Sequence, residues 1–176
     1  AGKLFAISLS WLKKTVAQVL PNPYIRIALL GAGLSLVLLT LQLTKVGTYS
    51  GLGTNLIDVA FHQGSAQSYD WILKLLFTVV TISAGYQGGE VTPLFAIGAT
   101  LGVFLAPMLG LPVLVVAAIG YASVFGSATT TLLAPILIGG EVFGYGNLPF
   151  FVIACAIAYC LPKEWSIYSG QKVAKK

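Results

Sequence analysis

Gly85-Tyr86-Gln87-Gly88-Gly89-Glu90-Val91-Thr92-Pro93 is the stretch on which the reading of this chain turns. It sets three glycines, a carboxylic acid, two hydroxyls and a proline between two apolar runs. Glycine lets a backbone turn sharply and approach a ligand closely. Proline suits the first turn of a helix, where its missing N–H is harmless. The loop should therefore deliver a helix N-terminus, and there the free amides and the macrodipole favour an anion. Thr92 is placed either to cap that helix or to donate its hydroxyl to the anion.

The surroundings of the loop are apolar on a scale that a soluble core does not reach. The 176 residues are 57% hydrophobic and 9% charged, with a mean hydropathy of +0.89, whereas soluble domains carry about 25% charged residues. A single core could not hide this much apolar surface, so part of the solvent must be lipid. Leu4–Leu20 reads as an apolar helix ended by Pro21-Asn22-Pro23, and Ile25–Thr44 as the clearest membrane-spanning run, with Gly31-Ala32-Gly33 as a small face for helix contact. Gly51-Leu52-Gly53 and Gly64-Ser65 bracket a short helix, Asn55–His62, with Asn55 as its cap. Trp71–Ser83, Pro93–Leu109, Val113–Phe125, Thr129–Glu141 and Pro149–Leu161 follow, with Gly126-Ser127 as one of the breaks and Pro162-Lys163-Glu164 as the last. Most of these runs are shorter than a span. Short, broken helices at membrane depth imply helix ends that are buried in protein or face a water-filled site, the pattern of a transporter with a midplane site. The fold class expected is an all-α membrane protein of broken, tilted transmembrane helices, multi-pass in a cell membrane.

The net charge of +5 does not change this. Lys13, Lys14, Arg26, Lys45 and Lys74 sit singly or in pairs between apolar runs, as loop and interface anchors do. Lys163, Lys172, Lys175 and Lys176 gather at the end, which the positive-inside rule reads as cytoplasmic. No basic segment interleaves with aromatics, so no nucleic-acid partner is expected. Cys155 and Cys160 match no metal or redox spacing and read as apolar fillers. Asp58 and Asp70 read as helix caps, His62 as a surface or satisfied histidine, and Glu141 as a helix-end or subunit-contact residue. With one histidine and no paired acids, no metal, cofactor or enzyme active site assembles, so the chain is expected not to be an enzyme.

Glu90 is the exception among the charges. An ionisable group at membrane depth is a functional candidate by default, and beside an anion both desolvation and like charge favour a protonated carboxyl. Glu90 is thus a candidate proton carrier coupled to the anion. The competing expectation is a carboxylate that only neutralises its own helix N-terminus.

Gly89-Glu90-Val91-Thr92-Pro93, followed by Gly98-Ala99-Thr100-Leu101-Gly102, resembles the signature loop and helix of the CLC chloride channel and transporter family. Its G-x-F-x-P motif begins a helix whose N-terminus faces the central anion, and here Val91 stands where phenylalanine is usual. Gly-Gly-Glu-Val-Thr-Pro is most similar to the fluoride/proton antiporter branch. By that match Glu90 serves the proton step, while Gly89, Val91 and Thr92 serve the anion. Phe125–Pro135 and Gly140–Gly144 look like later family helices, Asn22–Arg26 like the start of an earlier one, and Tyr168 like the tyrosine that donates its hydroxyl to the anion.

The resemblance implies that residues 1–176 are the C-terminal half of a CLC-type transmembrane domain, the second inverted repeat only. The chain begins at Ala1, and its one methionine is Met108, which also suggests processing or a piece of a longer protein. The missing N-terminal half would carry the family's gating glutamate. Halide anions (chloride or fluoride), protons, the lipid bilayer and a second copy in a homodimer are the implied partners, with about Thr129–Leu161 at the dimer contact. Alternatives are a voltage-gated-type chloride channel and a non-transporting structural membrane subunit.

Overall fold

A computed structural model of the chain describes residues 1–40, 49–63, 66–161 and 165–168. Helix α1 covers Gly2–Val19 and α2 Pro23–Thr40. Pro21-Asn22-Pro23 turns the chain by 117° between them. Asn22 Oδ1 accepts the amides of Tyr24 and Ile25 at 3.0 and 3.4 Å, so asparagine caps α2 and proline opens it. Then come α3 (Thr54–Asp58), which runs into a π-helical turn at Val59–Gln63, and α4 (Asp70–Ala84). Next are α5 (Val91–Leu109), α6 (Val113–Thr129) and α7 (Leu133–Phe143). A 3₁₀ turn, Tyr145–Asn147, leads into α8 (Leu148–Cys160).

The antiparallel pair α5–α6 is the centre. Gly98 meets the Gly120 carbonyl and Gly120 meets that of Gly98, so a Cβ on either would overlap backbone; Gly102 is as tightly set against Val116 and Ala117. Small residues four apart let apolar helices touch backbone to backbone, where dispersion replaces the hydrophobic drive that lipid cannot supply. Phe95 stacks on Tyr121 with ring centroids 4.1 Å apart. Against this pair α1 and α4 contribute Phe5, Leu9, Leu75 and Val79. On the other side α7 and α8 close a second cluster around Ile136, Phe151 and Cys155.

The outer surface stays apolar: Trp11, Leu36, Leu133 and Ile157 are all well exposed. Among the described residues α5 alone is long and apolar enough to cross a bilayer unaided, and α1 with α2 qualifies as one bent pair. Residues 41–44, the end of the run expected to span most clearly, lie outside the described residues, as do Lys45, Gly64-Ser65, Pro162-Lys163-Glu164 and the final lysines.

Four expectations are corrected. Gly126-Ser127 does not end a helix. Gly126 instead gives room to the Pro135 ring, and α6 runs on to Thr129, stopping where Thr130 turns left-handed at φ 55°. The following helix accordingly starts at Leu133 rather than Thr129. Asn55 does not cap α3. Gly53 holds the N-cap position at φ 82°, because Lys74 and Ala96 occupy the space that a side chain there would need. Neither acid caps a helix through its side chain at the N-cap position. Asp58 closes α3 and offers its carbonyl to His62 Nδ1 (3.2 Å), while Asp70 lies inside the first turn of α4. Lys74 is no interface anchor, since it is fully buried inside α4.

Candidate anion site at the start of α5

The loop between α4 and α5 is tethered before it reaches the motif. Gly85 ends α4 at φ 103°. Arg26 Nε donates to the Ala84 carbonyl at 3.2 Å, putting a cation against the negative end of the α4 dipole. Tyr86 donates its hydroxyl to the Ile27 carbonyl at 3.2 Å and lies over Gly31, whose lack of a side chain makes the space. Both contacts come from α2, so the bend at Pro21–Pro23 helps fix where the loop starts.

Gln87, Gly88 and Gly89 are exposed, and Pro93 is buried. Glu90 takes the N-cap position of α5 without making a side-chain cap bond. Thr92, expected as a possible cap, is instead the second residue of the helix. The amides of Glu90, Val91 and Thr92 therefore have no helical acceptor, and Pro93 has no N–H to compete. Three amide donors lie at one positive helix end, with a threonine in its first turn, an arrangement suited to a small anion.

Glu90 is not alone there. Lys13 Nζ on α1 lies 3.2 Å from its Oε1, with the side chains 44% and 19% exposed respectively. Lys13 was expected only as an anchor, and the carboxylate it meets lies 77 residues further along the chain. Sequence alone gave no signal for that pairing.

Tyr168 arrives by a separate route. Lys3 Nζ donates to the Trp165 carbonyl at 2.7 Å and to Thr130 Oγ1 at 3.1 Å. Ser166 Oγ donates to the Thr129 carbonyl at 3.3 Å, and the Ile167 amide to that of Ala128 at 3.1 Å. The last carbonyls of α6 thus dock the 165–168 segment. Ile167 and Val91 pack against the same core cluster, so Tyr168 reaches the end of the molecule where α5 begins. Its side chain is exposed. Gly89, Glu90, Val91 and Thr92 are contiguous at this end. The other residues weighed for chemistry lie apart from it, with His62 and Glu141 exposed on the π-helical turn and the last turn of α7.

A half-open cavity of about 370 Å³ lies beside the loop, between α2, α4 and the segment Tyr49–Leu52, with Gly88, Gly89 and Pro93 in its wall. Asp70 and Lys74, expected as a cap and an anchor, are instead buried, and both bond to Tyr49 in its wall. The signal that would have shown this was a lone lysine in the middle of an apolar run, four residues after an acid.

This geometry can be set beside known proteins. A "Chloride/fluoride channel protein" from Pseudomonas syringae pv. tomato (strain ATCC BAA-871 / DC3000) is 45% identical over 128 residues, covering 73% of this chain and 28% of that protein. The crystal structure of a CLC-type fluoride/proton antiporter matches at a TM-score of 0.91 and 57% identity, over 96% of this chain and 42% of that one. The chain spans less than half the length of either relative. The broken helices are those of a CLC membrane protein. With residues 1–163 matching the voltage gated chloride channel family, the chain belongs to that family.

Proposed function

We propose that this chain is the C-terminal half of a transmembrane halide transporter, a fluoride/proton antiporter rather than an enzyme. The observation that carries the reading is the N-terminus of α5, which has no side-chain cap bond and has Glu90 at its N-cap and Thr92 in its first turn. The amides of this turn and the Thr92 hydroxyl hold a dehydrated halide, with the Tyr168 hydroxyl as a further donor. Glu90 takes up and releases the coupled proton, together with a carboxylate from the N-terminal half. The names of the two relatives support a fluoride substrate, and that of the solved structure supports proton exchange.

The working unit in this reading is a multi-pass homodimer in the cell membrane. The exposed apolar residues of α7 and α8, such as Leu137 and Ile153, supply the contact. The test is the full-length protein in proteoliposomes, with fluoride and chloride efflux recorded alongside proton uptake for wild type and Glu90→Gln. Faster fluoride than chloride efflux, with proton coupling lost in Glu90→Gln, is the expected result. Equal chloride efflux and an unaffected variant would leave a general anion pathway with Glu90 as a helix-end counter-charge.

A further inference from the structure

Lys74 is 0% exposed and Asp70 is 4% exposed, one turn apart on the same face of α4. Charge is costly at membrane depth, so a buried lysine there needs a purpose beyond filling space. Lys74 Nζ donates to the carbonyls of Tyr49 (3.0 Å) and Gly51 (2.7 Å). Asp70 accepts the Tyr49 hydroxyl through Oδ1 and the Gln67 amide through Oδ2, the latter at 2.7 Å. One helix face therefore grips the segment 49–53 at the Tyr49 phenol, the Tyr49 carbonyl and the Gly51 carbonyl. Gly53 then passes between the Lys74 stem and Ala96 of α5, where no side chain would fit. Between these holds sits Leu52. Its Cδ2 is 3.7 Å from where a Cβ on Gly89 would stand, so Leu52 bounds the space into which the Gly88–Gly89 turn can relax.

We propose that Lys74 and Asp70 are positioning residues for the anion loop, acting through Tyr49, Gly51 and Leu52 on Gly89. The inference rests on the proposed anion site at the start of α5. Backbone amides stabilise an anion only when held at the right distance, and a displacement on the order of 1 Å can cost up to about a hundredfold in function. Buried charged hydrogen bonds hold the backbone on the N-terminal side of Leu52 stiffly, which fixes where the Leu52 side chain meets the loop.

The test uses full-length protein in proteoliposomes and reads the apparent KM and maximum rate of fluoride efflux for Lys74→Met, Leu52→Ala and Thr92→Val. Leu52→Ala leaves the buried charges untouched and is informative even where Lys74→Met fails to fold. The expected result is a KM raised about three- to tenfold in Leu52→Ala, and in folded Lys74→Met, with the maximum rate within about twofold of wild type. A purely structural clamp would lower yield and unfolding temperature while leaving KM at the wild-type value, and that outcome overturns the proposal. If KM is unmoved in Leu52→Ala but raised in Thr92→Val, the positioning role fails and the anion site stands. If Thr92→Val is also unmoved, both fall.

Discussion

Lys13 Nζ of α1 meets Glu90 Oε1 at 3.2 Å, joining the charge in the middle of one apolar helix to the N-cap residue of another. The pair is partly open to solvent, so it is worth little as a staple, and exposed pairs contribute about 0–1 kcal/mol. Its effect is local. It places a cation beside the carboxylate at the N-cap of α5, at the end where amides also collect. A double-mutant cycle of Lys13→Ala and Glu90→Gln, read as thermal or denaturant stability of the full-length protein, should give a coupling energy below about 1 kcal/mol. A value of several kcal/mol would mean that the pair is a structural clasp.

Thr92 supplies the hydroxyl at the start of α5. A hydrogen bond to a charged group is worth about 1.5–3 kcal/mol, so Thr92→Val should weaken apparent fluoride affinity about ten- to a hundredfold. Thr92→Ser should stay within about threefold of wild type, since it keeps the donor. Efflux rates over a range of internal fluoride would settle the comparison. Equal loss in both variants would assign the effect to packing rather than to the hydroxyl.

The Gly98–Gly120 crossing has no room for side chains. Gly98→Leu should force α5 and α6 apart, since overpacking costs about 1–3 kcal/mol and sometimes more. Gly33, with nothing within 4 Å of its missing Cβ, is the control, and Gly33→Ala should be neutral. Unfolding temperature and monodispersity in detergent would distinguish the two. Equal behaviour would contradict the close crossing.

Lys3 ties α1 to both Thr130 and the Trp165 carbonyl. Lys3→Met removes both bonds, each worth about 1 kcal/mol. Hydrogen exchange at the Ile167 amide, which reports docking on Ala128, should then speed up about tenfold. Unchanged exchange would mean that Ile167 packing alone holds the segment.

Much of this protein was legible from local chemistry. Pro21-Asn22-Pro23 had to break a helix, because Asn22 caps and Pro23 opens the next one. Gly85–Pro93 had to end one helix and start another, because a left-handed Gly85 and an N-terminal Pro93 permit little else. The apolar composition fixed lipid as part of the solvent. Each of these rests on interactions among neighbours in sequence, which is why reading residues in order recovers them. Gly126-Ser127 misled because a glycine permits a turn without compelling one, and in α6 it serves the approach of Pro135 instead.

Only the tertiary structure could decide which charges meet. Lys13 with Glu90, Lys3 with Trp165, and Lys74 with Tyr49 and Gly51 are partners 77, 162, and 25 and 23 residues apart. Nothing local prefers one carbonyl or carboxylate over another. For Lys74 the preference arises once packed helices exclude water and a buried donor must find an acceptor within reach, while Lys13 and Lys3 meet the partners that packing brings beside them. The sequence by itself determined that a helix N-terminus lies at Glu90–Pro93. Folding determined its surroundings, because those contacts come from Lys13 of α1, Arg26 and Ile27 of α2, and Leu52, which only the packed core brings to one place.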